Sequence, residues 1–146
     1  MTHPITTYLN QIRSSLATGA ATEHTHRPAL ADLVEALGED VTAVNEPTRI
    51  ECGAPDLAIL RSGFMVSHIE SKDVGTPLEA AESSEQLKRY RLALDNLILT
   101  DYLNFRWYVK GDLRRSVRLA RCDANDVLQI ESDGREDLQN LLEDFL

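Results

Sequence analysis

The stretch APDLAILRSGFMVSHIESKD, residues 54–73, holds two strand-like runs, DLAIL and FMVSHIESK, on either side of the turn signal RSG at residues 61–63. Branched and apolar residues flanking a glycine turn predict an antiparallel hairpin. Alternation along the second run sends Val66, His68, Glu70 and Lys72 to one face and Ser67, Ile69 and Ser71 to the other. Asp56, at the start of the first run, then lies opposite the end that carries Glu70 and Lys72. Two acids and a base meet at one end of a hairpin.

The surrounding segments supply the rest of a layered domain. Upstream, Ile5, Tyr8, Leu9, Ile12 and Leu16 recur at helical spacing and predict a helix that ends at Thr18 and Gly19. A second helix follows, with Thr25 or His26 as cap, Pro28 in its first turn, and Ala29, Leu30, Leu33, Val34 and Leu37 as its apolar stripe before Gly38. VTAVNE at residues 41–46 reads as a strand ahead of turn residues such as Pro47. Past the hairpin, Ser83 and Ser84 open a helix with Glu85 in its first turn and Leu87, Tyr90, Leu94 and Leu97 along one face. LILT and FRWYV then predict two strands around a turn at residues 101–104, followed by a strand at residues 117–120 and a helix at residues 136–145. This order predicts an α/β fold with a mixed central sheet flanked by helices.

With 146 residues, 42% of them hydrophobic, the chain is expected to form a single domain over residues 1–146. No apolar run approaches the ~20 residues that a membrane span needs, and the amino-terminal residues lack a secretory layout, so no membrane partner and a cytoplasmic setting are expected. Cys52 and Cys122 read as free thiols. The net charge of −9 opposes tight binding of a polyanion by the chain alone. Basic residues are nonetheless concentrated in QLKRYR and VKGDLRRSVRLAR, leaving a local basic face or a domain interface open.

Two carboxylates placed within a few ångströms repel unless a cation lies between them. Hard oxygen ligands suit Mg²⁺, with Mn²⁺ as a substitute. Asp56 and Glu70 are the candidate metal ligands, with the backbone carbonyl of Ser71 as a third. Lys72 beside them is equipped to orient or deprotonate a water and to offset charge on a phosphoryl oxygen. This is equipment for metal-assisted phosphodiester hydrolysis.

PD, a gap of thirteen residues and then ESK, with Pro55, Asp56, Glu70 and Lys72 in the motif positions, resembles the PD-(D/E)xK nuclease signature. The element order resembles that superfamily's restriction-endonuclease-like core. Gln86 and Tyr90, four apart on one helix face, resemble the QxxxY element of RecB-like nucleases. There the resemblance implies that glutamine supports the metal site or a substrate phosphate while tyrosine packs close by. It further implies Glu23, at the mouth of the second helix, as an additional acidic ligand.

The runs ATEHTHRPAL, NEPTRIECGAPD, IESKD, SEQLKRY and LDNLILTDYLNFRWY together resemble the amino-terminal nuclease region of single-chain restriction-modification enzymes of the Type I SP and Type IIL-like group. That resemblance implies a Mg²⁺-dependent endonuclease acting on DNA and leaving a 5′-phosphate and a 3′-hydroxyl. It also implies helicase or translocase, methyltransferase and target-recognition regions as partners, with a second nuclease copy for double-strand cleavage. The chain would then be excised from, or related to, a larger polypeptide. Two other readings stand beside it: a standalone RecB-like repair or recombination nuclease, and a noncatalytic nucleic-acid or protein interaction module on the same fold.

Plainer roles exist for each residue. Asp56 after Pro55 suits a turn, Glu70 and Lys72 suit an exposed ion pair, and Gln86 and Tyr90 suit a solvated position and a core aromatic. His24 and His26 read as surface and capping residues, and Trp107 and Tyr108 as core and edge, with base stacking as their alternative. His68 is open between packing and support of the site.

Overall fold

The computed structural model of the chain describes residues 3–45, 50, 52–125 and 127–146. Among the described residues, five helices and eight strands follow one another: α1 (Pro4–Leu16), α2 (Arg27–Leu37), β1 (Val41–Asn45), β2 (Leu57–Arg61), β3 (Phe64–Ser71), α3 (Leu78–Glu82), α4 (Glu85–Ala93), β4 (Asn96–Thr100), β5 (Asn104–Val109), β6 (Asp112–Arg118), β7 (Ala120–Cys122), β8 (Leu128–Ile130) and α5 (Gly134–Phe145). Six strands form one sheet in the order β1-β2-β3-β4-β5-β6, while β7 and β8 pair separately. All neighbours in the large sheet are antiparallel except β3 and β4, which run parallel. A parallel pair needs a crossover, and α3 and α4 supply it. The mixed sheet flanked by helices expected of a restriction-endonuclease-like core is the fold observed.

Side-chain alternation divides the core between the two faces of the sheet. Ile59, Ile69, Ile98, Phe105 and Trp107 pack with α1, α2 and α5, whose Ile5, Leu30, Leu33, Leu138 and Leu142 are fully or almost fully buried. Leu97, Leu99 and Tyr108 pack on the other side with Leu87, Tyr90 and Leu94 around α4. At the tip of the β2–β3 hairpin, Ser62 and Gly63 both take positive φ, 52° and 85°, the conformation of a two-residue turn whose twist matches the strands.

Several local readings are corrected. Neither candidate cap reaches the start of α2: His26 occupies the position without a side-chain cap bond, and its buried ring instead packs on Tyr102 at a centroid distance of 5.1 Å. Thr25 Oγ1 accepts from the Thr22 amide. Leu97 belongs to β4, because α4 ends at Ala93. The strand expected at residues 117–120 begins earlier, at Asp112, and is broken at Leu119. Alternation along β3 holds from Ser67 onward, but a bulge opposite Ile59 and Leu60 interrupts it at Val66. Glu46 and Pro47, the end of the expected first strand and its turn, lie outside the described residues. No described helix is long and apolar enough to cross a membrane; Cys52 is buried and Cys122 half-buried.

Candidate active site

The carboxyl-terminal ends of β3 and β4 and the amino-terminal end of β2 share one edge of the sheet. Register pairs Leu57 with Ile69, so Asp56, one residue before β2, faces Glu70. The Asp56 amide donates to Glu70 Oε1 at 3.1 Å. In return the Asp56 carboxylate crosses to the neighbouring residue: Oδ2 accepts from the Ser71 amide and from Ser71 Oγ, each at 2.8 Å. Lys72 Nζ stands 3.6 Å from Glu70 Oε2 with its side chain 26% exposed, so the ammonium remains in reach of an incoming substrate. The Lys72 amide is anchored to the Thr100 carbonyl at 2.8 Å, which fixes the end of β3 against β4. Asp56, Glu70, Ser71 and Lys72 are thus brought together.

Glu70 is 5% exposed. Burial, reinforced by the charge of Asp56, pushes its carboxyl up to about 7 against the opposing pull of Lys72 and the Asp56 amide. The ionised form of this carboxyl is disfavoured chiefly because it is cut off from water. The two carboxylates are hard oxygen donors, a chemistry that fits a Mg²⁺-type ion. The set depends on two carboxylates, for among the described residues no three His, Cys, Asp or Glu side chains gather as a metal-type cluster.

Tyr90 approaches from α4. Ser84 caps that helix by accepting from the Leu87 amide, and Tyr90 lies in its second turn, buried to 1% exposure. Its ring packs on Gly53, where a Cβ would stand 3.0 Å from the ring and 3.1 Å from the hydroxyl oxygen, at a φ of 127°. Burial first, and then the charge of Glu70, raise the tyrosine pKa, which puts its hydroxyl within the field of the acidic pair. Gln86 is half-buried in the first turn of α4, four residues before Tyr90. Glu23 enters through its backbone: its amide donates to Asp73 Oδ1 at 2.6 Å and its carbonyl accepts from the Tyr102 hydroxyl. Its carboxylate lies 3.7 Å from His24 Nε2.

Three further residues complete the site without having been singled out in the sequence. Arg27, 4% exposed in the first turn of α2, places Nη2 2.6 Å from Asp56 Oδ1. The hydroxyl of Tyr102 lies 2.8 Å from Ser71 Oγ, and the Tyr102 carbonyl accepts from the buried Tyr8 hydroxyl at 2.6 Å. Asp101, 2% exposed, shapes the turn that presents Tyr102: Oδ1 accepts from the Leu103 and Asn104 amides and Oδ2 from the Gly75 amide. Arg27 had a faint signal, a basic residue immediately before the proline of an apolar helix. His68 is buried beside the site, and burial lowers its pKa.

The basic residues of the second half are largely engaged within the chain. Arg91 and Arg106 both pair with Glu82, Arg115 with Asp144 and Arg121 with Glu131, while Arg118 donates to Asn104. Trp107 is core, its indole N–H donating to Asn96 Oδ1 at 2.6 Å.

No protein-family model matches the sequence, and no curated protein matches it. Among solved structures, a chain of a cryo-EM structure of a DrdV–DNA complex is similar, with a TM-score of 0.72 and 22% sequence identity. The likeness covers 97% of this chain and 13% of that one. At this identity it is a likeness of fold: this chain matches a small part of a much longer protein.

Proposed function

We propose that the chain is a metal-dependent endodeoxyribonuclease domain of the PD-(D/E)xK type, working within a larger cytoplasmic restriction-modification polypeptide. The observation that carries this reading is the meeting of Asp56, Glu70 and Lys72 at one end of the central strands, with the Glu70 carboxyl pushed up to about 7 by burial first and then by the charge of Asp56. The fold likeness to a chain found in complex with DNA, of which this chain covers 13%, supports both the substrate class and the dependence on further domains.

Asp56, Glu70 and the Ser71 carbonyl would hold Mg²⁺ or Mn²⁺, with Glu23 as a supplementary ligand. The ion, when bound, supplies Lewis acidity toward a phosphoryl oxygen and acidifies a water. The chain's own residues do the remainder. Lys72 orients the attacking water and offsets charge on the phosphoryl group, as its partly exposed side chain allows. Gln86 steadies the substrate phosphate, while Tyr90 holds the residue 52–54 backbone that leads into Asp56.

DNA affinity and site choice belong to other regions in this reading, because Arg91, Arg106, Arg115 and Arg121 are paired within the chain and the net charge is −9. Those regions are a translocase, a methyltransferase and a target-recognition unit, and a second nuclease copy makes the double-strand break. The test is nicking of supercoiled plasmid at high protein concentration with Mg²⁺ or Mn²⁺, beside Asp56→Ala and Lys72→Ala. Metal-dependent nicking lost in both folded variants is expected. Nicking that persists in both would place the chemistry elsewhere.

A further inference from the structure

Asp56 already has a cation. Arg27 Nη2 stands 2.6 Å from Oδ1, with the arginine 4% and the aspartate side chain 14% exposed, while Oδ2 is held by the amide and hydroxyl of Ser71. Arg27 is carried on the rigid first turn of α2, and its Nη1 also reaches Asn45 Oδ1 at 3.5 Å. Two cations, Arg27 and Lys72, therefore face two carboxylates. An ion entering at Asp56 would meet a guanidinium at the same oxygen, inside a poorly hydrated corner where like charges repel strongly.

Resting on the metal-site reading above, we infer that Arg27 is the resident counter-cation of Asp56 and competes with the metal for it, so that the folded apo site is stable and binds divalent ions weakly. Arg27 acts through Asp56 and is a positioning residue. Ion binding requires the Arg27–Asp56 contact to loosen or to share Oδ1.

The experiment is calorimetric titration of the whole chain with MnCl₂ in the absence of DNA, for wild type, Arg27→Lys and Arg27→Met, with melting temperatures measured with and without Mn²⁺. Arg27→Met removes the competing charge and is expected to bind Mn²⁺ about tenfold more tightly while melting lower without metal. Arg27→Lys, with a shorter reach to Oδ1, is expected to tighten binding less and to fold in all conditions. If Arg27→Met unfolds in chelator, Arg27→Lys alone decides the matter. A purely structural arginine predicts lower melting temperatures with Mn²⁺ affinity unchanged or weakened in the folded variants, and that result overturns the inference while leaving the metal site standing. Absence of Mn²⁺ binding in wild type and both variants overturns the metal site and the inference together.

Discussion

Asp56 and Glu70 fix one another through unlike groups: the Asp56 amide donates to Glu70 Oε1, while the Asp56 carboxylate turns to the amide and hydroxyl of Ser71, the residue after Glu70. Each acid is thereby oriented by the other's strand. The acids remain close enough for the charge of one to raise the pKa of the other, and several measurable consequences follow from this reciprocal hold.

The first concerns stability against pH. The Glu70 carboxyl rises from 4.5 to about 7 on folding, so the folded state keeps a proton that the unfolded chain gives up. The sign is that of a raised acid: the contribution is fully present below pH 4.5 and is lost as pH rises through 7. This displacement corresponds to about 3 kcal/mol. Glu70→Gln, which mimics the protonated form, is expected to melt near wild type at pH 5 and above it at pH 8 in chelator. Equal melting differences at both values would remove burial of the carboxyl as a cost.

Metal binding should carry the opposite dependence. An ion bound by Glu70 must displace that proton, so Mn²⁺ affinity measured calorimetrically is expected to be about tenfold weaker at pH 6 than at pH 8. Titrations in buffers of different ionisation heat should register release of a proton at pH 6. An affinity flat across this interval would show that Glu70 is not a ligand.

Ser71→Ala separates the hydroxyl from the backbone carbonyl. Loss of the Oγ donor to the Asp56 carboxylate should lower stability by about 1.5–3 kcal/mol in urea unfolding. The carbonyl proposed as a metal ligand is retained, so Mn²⁺ stoichiometry should be unchanged.

Gly53→Ala tests the support from α4. The position has a φ of 127°, and an added Cβ would fall 3.0 Å from the Tyr90 ring. A cost of about 1–3 kcal/mol is expected. Because the residue 52–54 segment leads directly into Asp56, nicking activity should fall further than the loss of folded protein explains.

The hairpin, its turn and the placement of Asp56 opposite Glu70 were legible because period-2 alternation and the Ser62–Gly63 turn are local signals. The Arg-rich β6 was harder. Lys110 and Gly111, with φ of 51° and 87°, form a second tight turn, but an edge strand with Arg114, Arg115 and Arg118 among its residues resembles a charged loop in one dimension. The buried Arg27 and the Tyr102 carbonyl and hydroxyl contacts were illegible for a different reason. They join residues 29, 94 and 31 positions apart, and their roles exist only once the sheet has been assembled. Thr25 and His26 illustrate tertiary override: sequence preference for a cap yielded to packing of the His26 ring on Tyr102.

The parallel pairing of β3 with β4 decides when the proposed site is first complete. β4 is reached only after α3 and α4, and it brings the Thr100 carbonyl that docks Lys72 and the adjoining turn that presents Tyr102. A chain still being synthesised can carry Asp56, Glu70 and Lys72 on a hairpin without this brace, and such a long-range pairing forms late. In the proposed reading, the site is therefore finished by completion of the sheet rather than by emergence of its motif.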